Sequence, residues 1–302
     1  LIDYAEKNKY AWHTPGHMGG AGFLRAPAGA AFYKYFGKNT LRSDLSVSVA
    51  ELGSLLDHSG VTGEAEQNSA EVFGADRTYY VLNGTSSSNQ IIWSSQVGEG
   101  DLALLDRNCH KSLSYAVICT GARPLYMIPR RSRRGLIGPV PLSEFTESVI
   151  KERIEISASA QRNREGTAEK RGGQENGAEN DKSENRTECG VPESGGTENV
   201  SESSGTEASV PEKRDVIAMM ALTNSTYDGL CYNVRTILDA LPQWVQRVHF
   251  DEAWFAYAAF HPIYRNHFGL IRTETEEDAY RPLIFCSQST HKLLTALSQS
   301  SM

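Results

Sequence analysis

Short apolar runs alternate with amphipathic stretches along this chain, and the alternation restricts the folds it can adopt. The apolar runs lie at residues 79–82, 102–106, 125–128, 216–223, 248–251 and 283–286. Residues 217–222 contain no polar side chain, so this strand has no face suited to water. Strands of this kind are typical of parallel sheets covered by helices on both sides. The sequence therefore predicts an α/β fold with a mainly parallel sheet sandwiched by helices.

The helical segments between these strands have recognisable ends. Apolar residues recur at helical spacing across 142–154, with glutamates near the beginning and basic residues near the end, which matches the helix dipole. Asn233 is the predicted N-cap of a helix that Pro242 ends.

Residues 157–214 have a different composition from the rest of the chain. They contain no Phe, Trp, Tyr, Leu, Ile or Met. Such a segment cannot bury enough apolar surface to offset its chain entropy, so we predict a disordered insertion. An interaction or modification tether is the functional alternative. The predicted division is an N-terminal segment and linker at 1–42, a large domain at 43–156 and 215–302, and the insertion between the two halves of that domain.

Composition argues against several classes of protein. No stretch approaches the roughly 18 consecutive apolar residues of a membrane-spanning helix. The formal net charge of -7 gives no general attraction to nucleic acid. The 5 cysteines are widely spaced and form no C-x-x-C pair, which is typical of reduced thiols. We therefore expect a cytoplasmic protein without nucleic-acid or membrane partners. No signal peptide is visible, and a start at Leu1 suggests a fragment.

Chemically versatile side chains follow the predicted strands. In an open parallel sheet, ligands bind beyond the carboxyl ends of the strands. Five strand ends are followed by polar segments at 83–89, 107–112, 224–229, 251–254 and 287–292. The sequence therefore predicts one crevice that contains hydroxyls, imidazoles, a carboxylate and an amine.

Each of these residues also has a simpler explanation when taken alone. Gly84 and the hydroxyls of residues 85–88 could hold a phosphate at a helix N-terminus, or could form a serine-rich N-cap. Asp251 could be a capping carboxylate, His110 a satisfied polar residue, and Lys292 an ordinary basic residue. Their shared edge of the sheet favours the functional interpretation.

Three other patterns are rejected as sites. Residues 98–103 match a loose dinucleotide fingerprint, but they precede a strand and so predict an α-to-β turn. His13 and His17 have the spacing of a zinc helix, but Pro15 and Gly16 prevent a regular helix between them. The basic residues within 130–134 predict a solvated turn. We therefore expect no metal site.

Four segments together resemble one known family. These are residues 289–294 (Ser-Thr-His-Lys-Leu-Leu), 249–254 (His-Phe-Asp-Glu-Ala-Trp), 106–112 (Asp-Arg-Asn-Cys-His-Lys-Ser) and 13–20 (His-Thr-Pro-Gly-His-Met-Gly-Gly). They resemble the major domain of the bacterial-type ornithine/lysine/arginine decarboxylases, which are pyridoxal 5'-phosphate enzymes of fold type I, the aspartate-aminotransferase fold. The resemblance runs from about Tyr10 to Met302, interrupted by the insertion, and includes similar segments at 52–60 and 223–229.

The resemblance implies a role for each candidate residue. Lys292 would form the internal aldimine with the coenzyme, and Asp251 would keep the pyridine nitrogen protonated, so that the ring accepts the electron pair released on decarboxylation. His110 would stack on the ring. The remaining cofactor-binding residues would be Thr85 and Ser86 at the phosphate, Ser289 and His291 nearby, and Trp254 as a pocket wall. The carbanion would be protonated by His291 or Lys292.

The same resemblance implies a larger protein. Family members continue into a small C-terminal domain, carry an N-terminal flavodoxin-like domain, and work as homodimers or larger homo-oligomers with the active site near the subunit boundary. The chain is therefore expected to be a fragment that is inactive alone.

The substrate and the reaction are left open at this level. Residues 251–254 are slightly closer to the arginine enzymes, and residues 45–48 are closer to the lysine and ornithine enzymes. Another pyridoxal-phosphate reaction on the same fold, such as transamination or aldol cleavage, and a truncated non-catalytic paralogue are the alternatives.

Overall fold

The computed structural model describes residues 1–7, 14–46, 49–172, 216–270, 282–296 and 298–302. Five strands form one sheet: β1 (Leu102–Asp106), β2 (Arg123–Met127), β3 (Ile217–Thr223), β4 (Arg247–Asp251) and β5 (Leu283–Ser287). The helices are α1 (Ile2–Glu6), α2 (Pro27–Arg42), α3 (Gly60–Phe73), α4 (Thr85–Gln96), α5 (Lys111–Thr120), α6 (Glu147–Gly172), α7 (Val234–Ala240) and α8 (Thr290–Leu293). Short 3-10 turns at 21–25, 50–52, 142–145, 256–260 and 262–264 complete the described elements.

All strand pairs in the sheet are parallel, and the strand order is β2-β1-β3-β4-β5. The register places Thr223 opposite Asp251, and Asp251 opposite Ser287. The ends of three neighbouring strands are therefore aligned, and the segments that follow them begin at one edge. The predicted α/β fold with a parallel sheet is confirmed.

The core lies on both faces of this sheet. Along β1, Leu102 and Leu104 belong to one apolar cluster, whereas Ala103 and Leu105 belong to another. The first cluster includes Ile150 of α6 and residues of α7, and the second includes Trp93 of α4 and residues of α5. Helices thus cover both faces, which explains why the strands have no polar side.

One predicted strand is wrong. Residues 79–82 form no strand, and Val81 makes only an isolated antiparallel bridge to Ser301. The backbone N–H of Tyr80 donates instead to the buried Glu66 carboxylate, at 2.8 Å. Because a side chain of α3 satisfies this backbone group, the segment has no need of a strand partner there.

The start of the predicted insertion also needs correction. Helix α6 continues to Gly172, so residues 157–172 are helical and not a disordered loop. Their composition cannot form a core, but it includes Ala, Gln, Glu, Lys and Arg, which propagate an existing helix at little cost. The remainder of the predicted insertion lies outside the described residues, as do Tyr10, His13 and residues 47–48.

Several local predictions are confirmed. The Asn233 side chain accepts a hydrogen bond from the Thr236 N–H at 3.1 Å and caps α7. The α-to-β turn before β1 contains Gly100 with φ of 79°. The proposed division at residue 42 stays a prediction.

Candidate active site

One pocket at the carboxyl edge of the sheet contains every residue that the sequence singled out. Its volume is about 260 Å³. Its lining includes Thr85, Ser86, His110, Asp251, Trp254, Ser289, His291 and Lys292. These residues come from the segments after β1, β4 and β5 and from the beginning of α4. The parallel register therefore brings together side chains that lie far apart in the sequence.

Hydroxyl groups surround the N-terminus of α4. Gly84 precedes this helix with φ of 76° and ψ of 178°, a conformation that strongly favours glycine. The Thr85 hydroxyl lies 2.6 Å from that of Ser289 and 3.3 Å from that of Ser301. Free backbone N–H groups at a helix beginning carry partial positive charge, so this corner of the pocket is suited to an anion.

The Asp251 carboxylate lies at the end of β4 and is nearly inaccessible to solvent. One oxygen, Oδ1, accepts from the Ala253 N–H at 3.1 Å. The other, Oδ2, accepts from the Asn89 side-chain amide at 3.1 Å. Each oxygen retains a further lone pair that could accept a hydrogen bond.

Lys292 lies on α8 and points its ammonium group at an aromatic face. The Nζ atom is 4.4 Å from the centroid of the Trp254 ring. The side chain is exposed along much of its length, but burial of its amine end lowers the pKa of Lys292, and the negative charge of Asp251 partly opposes this effect. Lowering the pKa increases the fraction of neutral amine, which is the nucleophilic form.

His110 and His291 are held by nearby backbone groups. Nδ1 of His110 accepts from the Ser112 N–H at 3.2 Å and lies 2.8 Å from the Ser112 hydroxyl. Nδ1 of His291 lies 2.7 Å from the carbonyl oxygen of Ser300. Both imidazoles line the pocket.

The pocket has further lining residues to which the sequence assigned no role. Asn108, Ser225, Thr226, Tyr227 and Ala253 lie in segments predicted to reach this crevice, whereas Thr223 and Gln299 lie outside those segments. Asn89 was missed as the residue that binds Asp251. Its position four residues after Thr85 places both on one face of α4, and this spacing could have indicated it.

A buried carboxylate lies next to Asp251 in the sequence. Glu252 is fully buried and accepts from the Asn224 side-chain amide at 2.6 Å and from the Gly269 N–H at 2.7 Å. Burial raises the pKa of Glu252 to about 7, and these hydrogen bonds partly oppose the rise.

The donor set of the pocket fits pyridoxal 5'-phosphate, which the resemblance implied. Lys292 would provide the amine with which an aldehyde condenses, and Asp251 the carboxylate that pairs with a protonated pyridine nitrogen. The hydroxyls and free N–H groups at the beginning of α4, together with Ser289, would bind a phosphate.

The described ranges show neither a metal centre nor a membrane-spanning helix. They contain no group of three or more His, Cys, Asp or Glu side chains arranged to hold a metal ion. None of the helices in that part of the chain is long and apolar enough to cross a membrane. Cys109, Cys119, Cys231 and Cys286 are free thiols.

The known proteins with similar sequences are decarboxylases of lysine, arginine or ornithine. Lysine decarboxylase LdcA of Pseudomonas aeruginosa is 45% identical over 302 residues, covering 100% of this chain and 33% of the relative. The biodegradative arginine decarboxylase of Escherichia coli is 37% identical over 301 residues, which cover 100% of this chain and 33% of that enzyme. The inducible ornithine decarboxylase of Escherichia coli is 33% identical over 302 residues, covering 100% and 34%. The chain thus spans about a third of the length of the relatives it matches.

Solved structures agree with the sequence comparison. Lysine decarboxylase A from Pseudomonas aeruginosa matches with a TM-score of 0.75 and 42% identity, covering 100% of this chain and 33% of that one. The constitutive lysine decarboxylase of Escherichia coli matches with a TM-score of 0.72 and 34% identity, covering 99% and 34%. The family profile described as Orn/Lys/Arg decarboxylase, major domain, matches residues 1–168 and 186–302. The chain therefore belongs to the ornithine/lysine/arginine decarboxylase major-domain family.

Proposed function

We propose that this chain is the coenzyme-binding part of an enzyme that decarboxylates a basic amino acid with pyridoxal 5'-phosphate. The observation that carries the proposal is the single pocket in which Lys292, Asp251 and the hydroxyls at the beginning of α4 meet. An amine, a carboxylate and an anion cup in one small volume match the aldehyde, ring nitrogen and phosphate of this coenzyme.

Lys292 is assigned as the residue that holds the coenzyme covalently. Its lowered pKa leaves more of the amine uncharged at neutral pH, and only the uncharged amine attacks an aldehyde. Trp254 forms the wall beside this amine, since its ring lies against Nζ.

The phosphate is assigned to the beginning of α4. Thr85 and Ser86 are its first two residues, and Ser289 lies within hydrogen-bond distance of Thr85. Hydroxyl donors together with the positive end of a helix stabilise a phosphate without requiring a lysine.

Asp251 and His110 are assigned to the coenzyme ring. When bound, pyridoxal 5'-phosphate accepts the electron pair of the breaking Cα–carboxylate bond into its ring. A carboxylate at the ring nitrogen keeps that nitrogen protonated, and Asp251 is held in place for this by Asn89 and Ala253. His110 is assigned to the ring face.

The proton that replaces the carboxylate must come from a group near the reacting carbon. His291 and Lys292 are adjacent in sequence and line the same pocket. We assign this step to one of these two residues, and variants of His291 that retain Lys292 would separate them.

Lysine is the leading candidate for the substrate. Identity is 45% to the lysine decarboxylase of Pseudomonas aeruginosa, whereas the inducible lysine, biodegradative arginine and inducible ornithine decarboxylases of Escherichia coli are 38%, 37% and 33% identical, so the preference for lysine rests on the Pseudomonas aeruginosa enzyme. This ranking differs from the slight preference for arginine suggested by residues 251–254. Assembly as a homodimer or larger homo-oligomer stays a prediction.

The test is carbon dioxide release by the full-length gene product. The protein should be loaded with pyridoxal 5'-phosphate and assayed with lysine, arginine and ornithine, with Lys292→Ala as the inactive control. The proposal predicts release from at least one of the three, with lysine the fastest. Coenzyme binding without release from any of them would contradict it.

A further inference from the structure

A series of buried hydrogen bonds leads from Trp93 to Asp251. The donor and the acceptor of each bond can be assigned from the chemistry of the groups. The series begins at Trp93, whose indole Nε1–H donates to Nδ1 of His249 at 3.2 Å. An indole N–H can only donate, so Nδ1 of His249 must be an acceptor. His249 is fully buried, and burial lowers its pKa to about 4, with the charge of Asp251 opposing the effect. The neutral imidazole therefore carries its proton on Nε2.

The series continues from His249 to Asn89. Nε2–H of His249 donates a hydrogen bond to the Ser287 hydroxyl oxygen, at 3.0 Å. Because that hydroxyl accepts from His249, its own hydrogen is available for Oδ1 of Asn89, at 2.7 Å. A hydroxyl that donates to Oδ1 fixes the orientation of the Asn89 amide, since a flipped amide would present hydrogens to a donor.

Asn89 is the branch point of this series. With Oδ1 turned toward Ser287, its two amide hydrogens are donated to Oδ2 of Asp251 at 3.1 Å and to the Ser112 hydroxyl at 2.9 Å. The Ser112 hydroxyl lies 2.8 Å from Nδ1 of His110, which it can supply with a hydrogen. Asn89 and Ser287 are fully buried and Ser112 nearly so, which excludes competing hydrogen bonds to bulk water.

We propose that Asn89 is a positioning residue that orients the Asp251 carboxylate and, through Ser112, the His110 imidazole, and that Trp93, His249 and Ser287 fix its orientation. This inference rests on the proposed function, in which Asp251 and His110 contact the coenzyme. Its physical basis is that the Asn89 amide donates to both branches, so that the two groups assigned to the ring, on different loops, share one support.

The first test is the affinity of the full-length protein for pyridoxal 5'-phosphate. Asn89→Leu keeps much of the side-chain volume and removes every hydrogen bond. We expect its affinity to fall at least tenfold, whereas Gln90→Ala, at the next and exposed position of α4, should remain within twofold of the wild type. An Asn89→Leu variant that binds as tightly as the wild type would overturn the proposal.

A double-mutant cycle separates positioning from packing. In the Asp251→Asn background only the branch through Ser112 to His110 remains, so Asn89→Leu should cost less than threefold in affinity instead of tenfold. A residue that matters only for packing would cost the same tenfold in both backgrounds, and that result would contradict the assigned role.

Crystal structures of the coenzyme-free protein test the geometry independently of coenzyme chemistry. Ser287→Ala leaves Asn89 in place but removes the hydrogen that fixes its amide, so the Asp251 carboxylate should rotate relative to the wild type. This variant also serves if Asn89→Leu does not fold. If the Asp251 carboxylate kept its orientation in Ser287→Ala, the proposal that Ser287 orients Asp251 through Asn89 would be overturned. Failure of the wild-type protein to attach coenzyme at Lys292 would instead overturn the proposed function.

Discussion

The ammonium nitrogen of Lys292 lies 4.4 Å from the centre of the Trp254 indole ring. An aromatic face at this distance stabilises the charged form of the amine, whereas burial of the same amine favours the neutral form. Burial is the larger of the influences on the lowered pKa of Lys292, and the negative charge of Asp251 is the smaller, opposing one. The aromatic face of Trp254 should act in the same direction as Asp251, toward the charged amine.

Replacing Trp254 by leucine tests this balance. Leucine keeps an apolar neighbour but removes the aromatic face, so the pKa of Lys292 should fall further. The pH at which coenzyme attachment reaches half of its maximal rate should fall with it. Trp254→Phe retains a ring and should lie between leucine and the wild type. An unchanged or higher midpoint in Trp254→Leu would contradict the contact.

The turn before α4 should not tolerate a side chain at residue 84. Gly84 has φ of 76° and ψ of 178°, which costs other residues about 1–3 kcal/mol. An added Cβ would also lie 2.8 Å from Nε2 of Gln299, a flexible side chain that can move aside. Gly84→Ala should therefore lower the unfolding free energy by about 1–3 kcal/mol in denaturant titrations and weaken coenzyme binding.

Gly98→Ala is the matched control for this variant. Gly98 lies near the other end of α4, and the nearest atom to an added Cβ is a carboxylate oxygen of Asp101 at 3.5 Å, an ordinary contact. Its unfolding free energy should change by less than about 0.5 kcal/mol. If Gly84→Ala and Gly98→Ala lost equal amounts of unfolding free energy, the backbone conformation of Gly84 would not be the cause of the loss.

Glu252 should make the protein less stable as the pH rises from about 4.5 to about 7. Its carboxyl has a pKa of about 7 in the folded chain, against an ordinary value of 4.5. The folded state therefore holds a proton in this range that the unfolded state has released, and the unfolding free energy falls with increasing pH. The full shift corresponds to at most about 3 kcal/mol. Because His249 has an opposite effect between pH 4.5 and 6.5, Glu252→Gln should leave a stability of the coenzyme-free full-length protein that rises with pH across that range.

His249 should have the opposite effect on stability. Its pKa is about 4 in the folded chain, against an ordinary value of 6.5, so the unfolded state binds the extra proton between these values. Stability should therefore be lost as the pH falls from about 6.5 to about 4, again by at most about 3 kcal/mol. In His249→Asn, only the Glu252 slope should remain between pH 4.5 and 6.5. If the stability of His249→Asn changed with pH in the same way as that of Glu252→Gln, the pKa of either Glu252 or His249 would not be shifted as stated.

Asp251→Asn should separate coenzyme binding from chemistry. The amide keeps the shape of the carboxylate but cannot stabilise a protonated ring nitrogen by its charge. We expect coenzyme to remain attached to Lys292 while carbon dioxide release falls by about 10²-fold or more. Retention of full activity in this variant would remove Asp251 from the proposed chemistry.

Much of the site could be predicted because parallel topology converts sequence order into position. Strands β1, β3, β4 and β5 were predicted from their apolar runs, and the residues after them line one pocket. The beginning of α4 was placed there by its hydroxyls, although the strand predicted before it, at 79–82, does not form. That error arose because Glu66 on α3, distant in the sequence, satisfies the backbone of Tyr80.

The buried support of the site could not be predicted in the same way. Trp93 lies on the largely polar helix α4 and His249 on the buried strand β4, and neither local pattern indicates which side chain either residue contacts. Their contact depends on how α4 packs against the sheet, which no local pattern specifies. Similarly, composition excluded a core at residues 157–172 but gave no measure of how far α6 would extend.

The most direct test of the account is to find which lysine carries the coenzyme. The full-length protein, incubated with pyridoxal 5'-phosphate and reduced with borohydride, should yield one labelled peptide on digestion, with the pyridoxyl group on Lys292. Lys292→Ala should give no labelled peptide under the same conditions. A label on any other lysine, or no label in the wild type, would contradict the central claim.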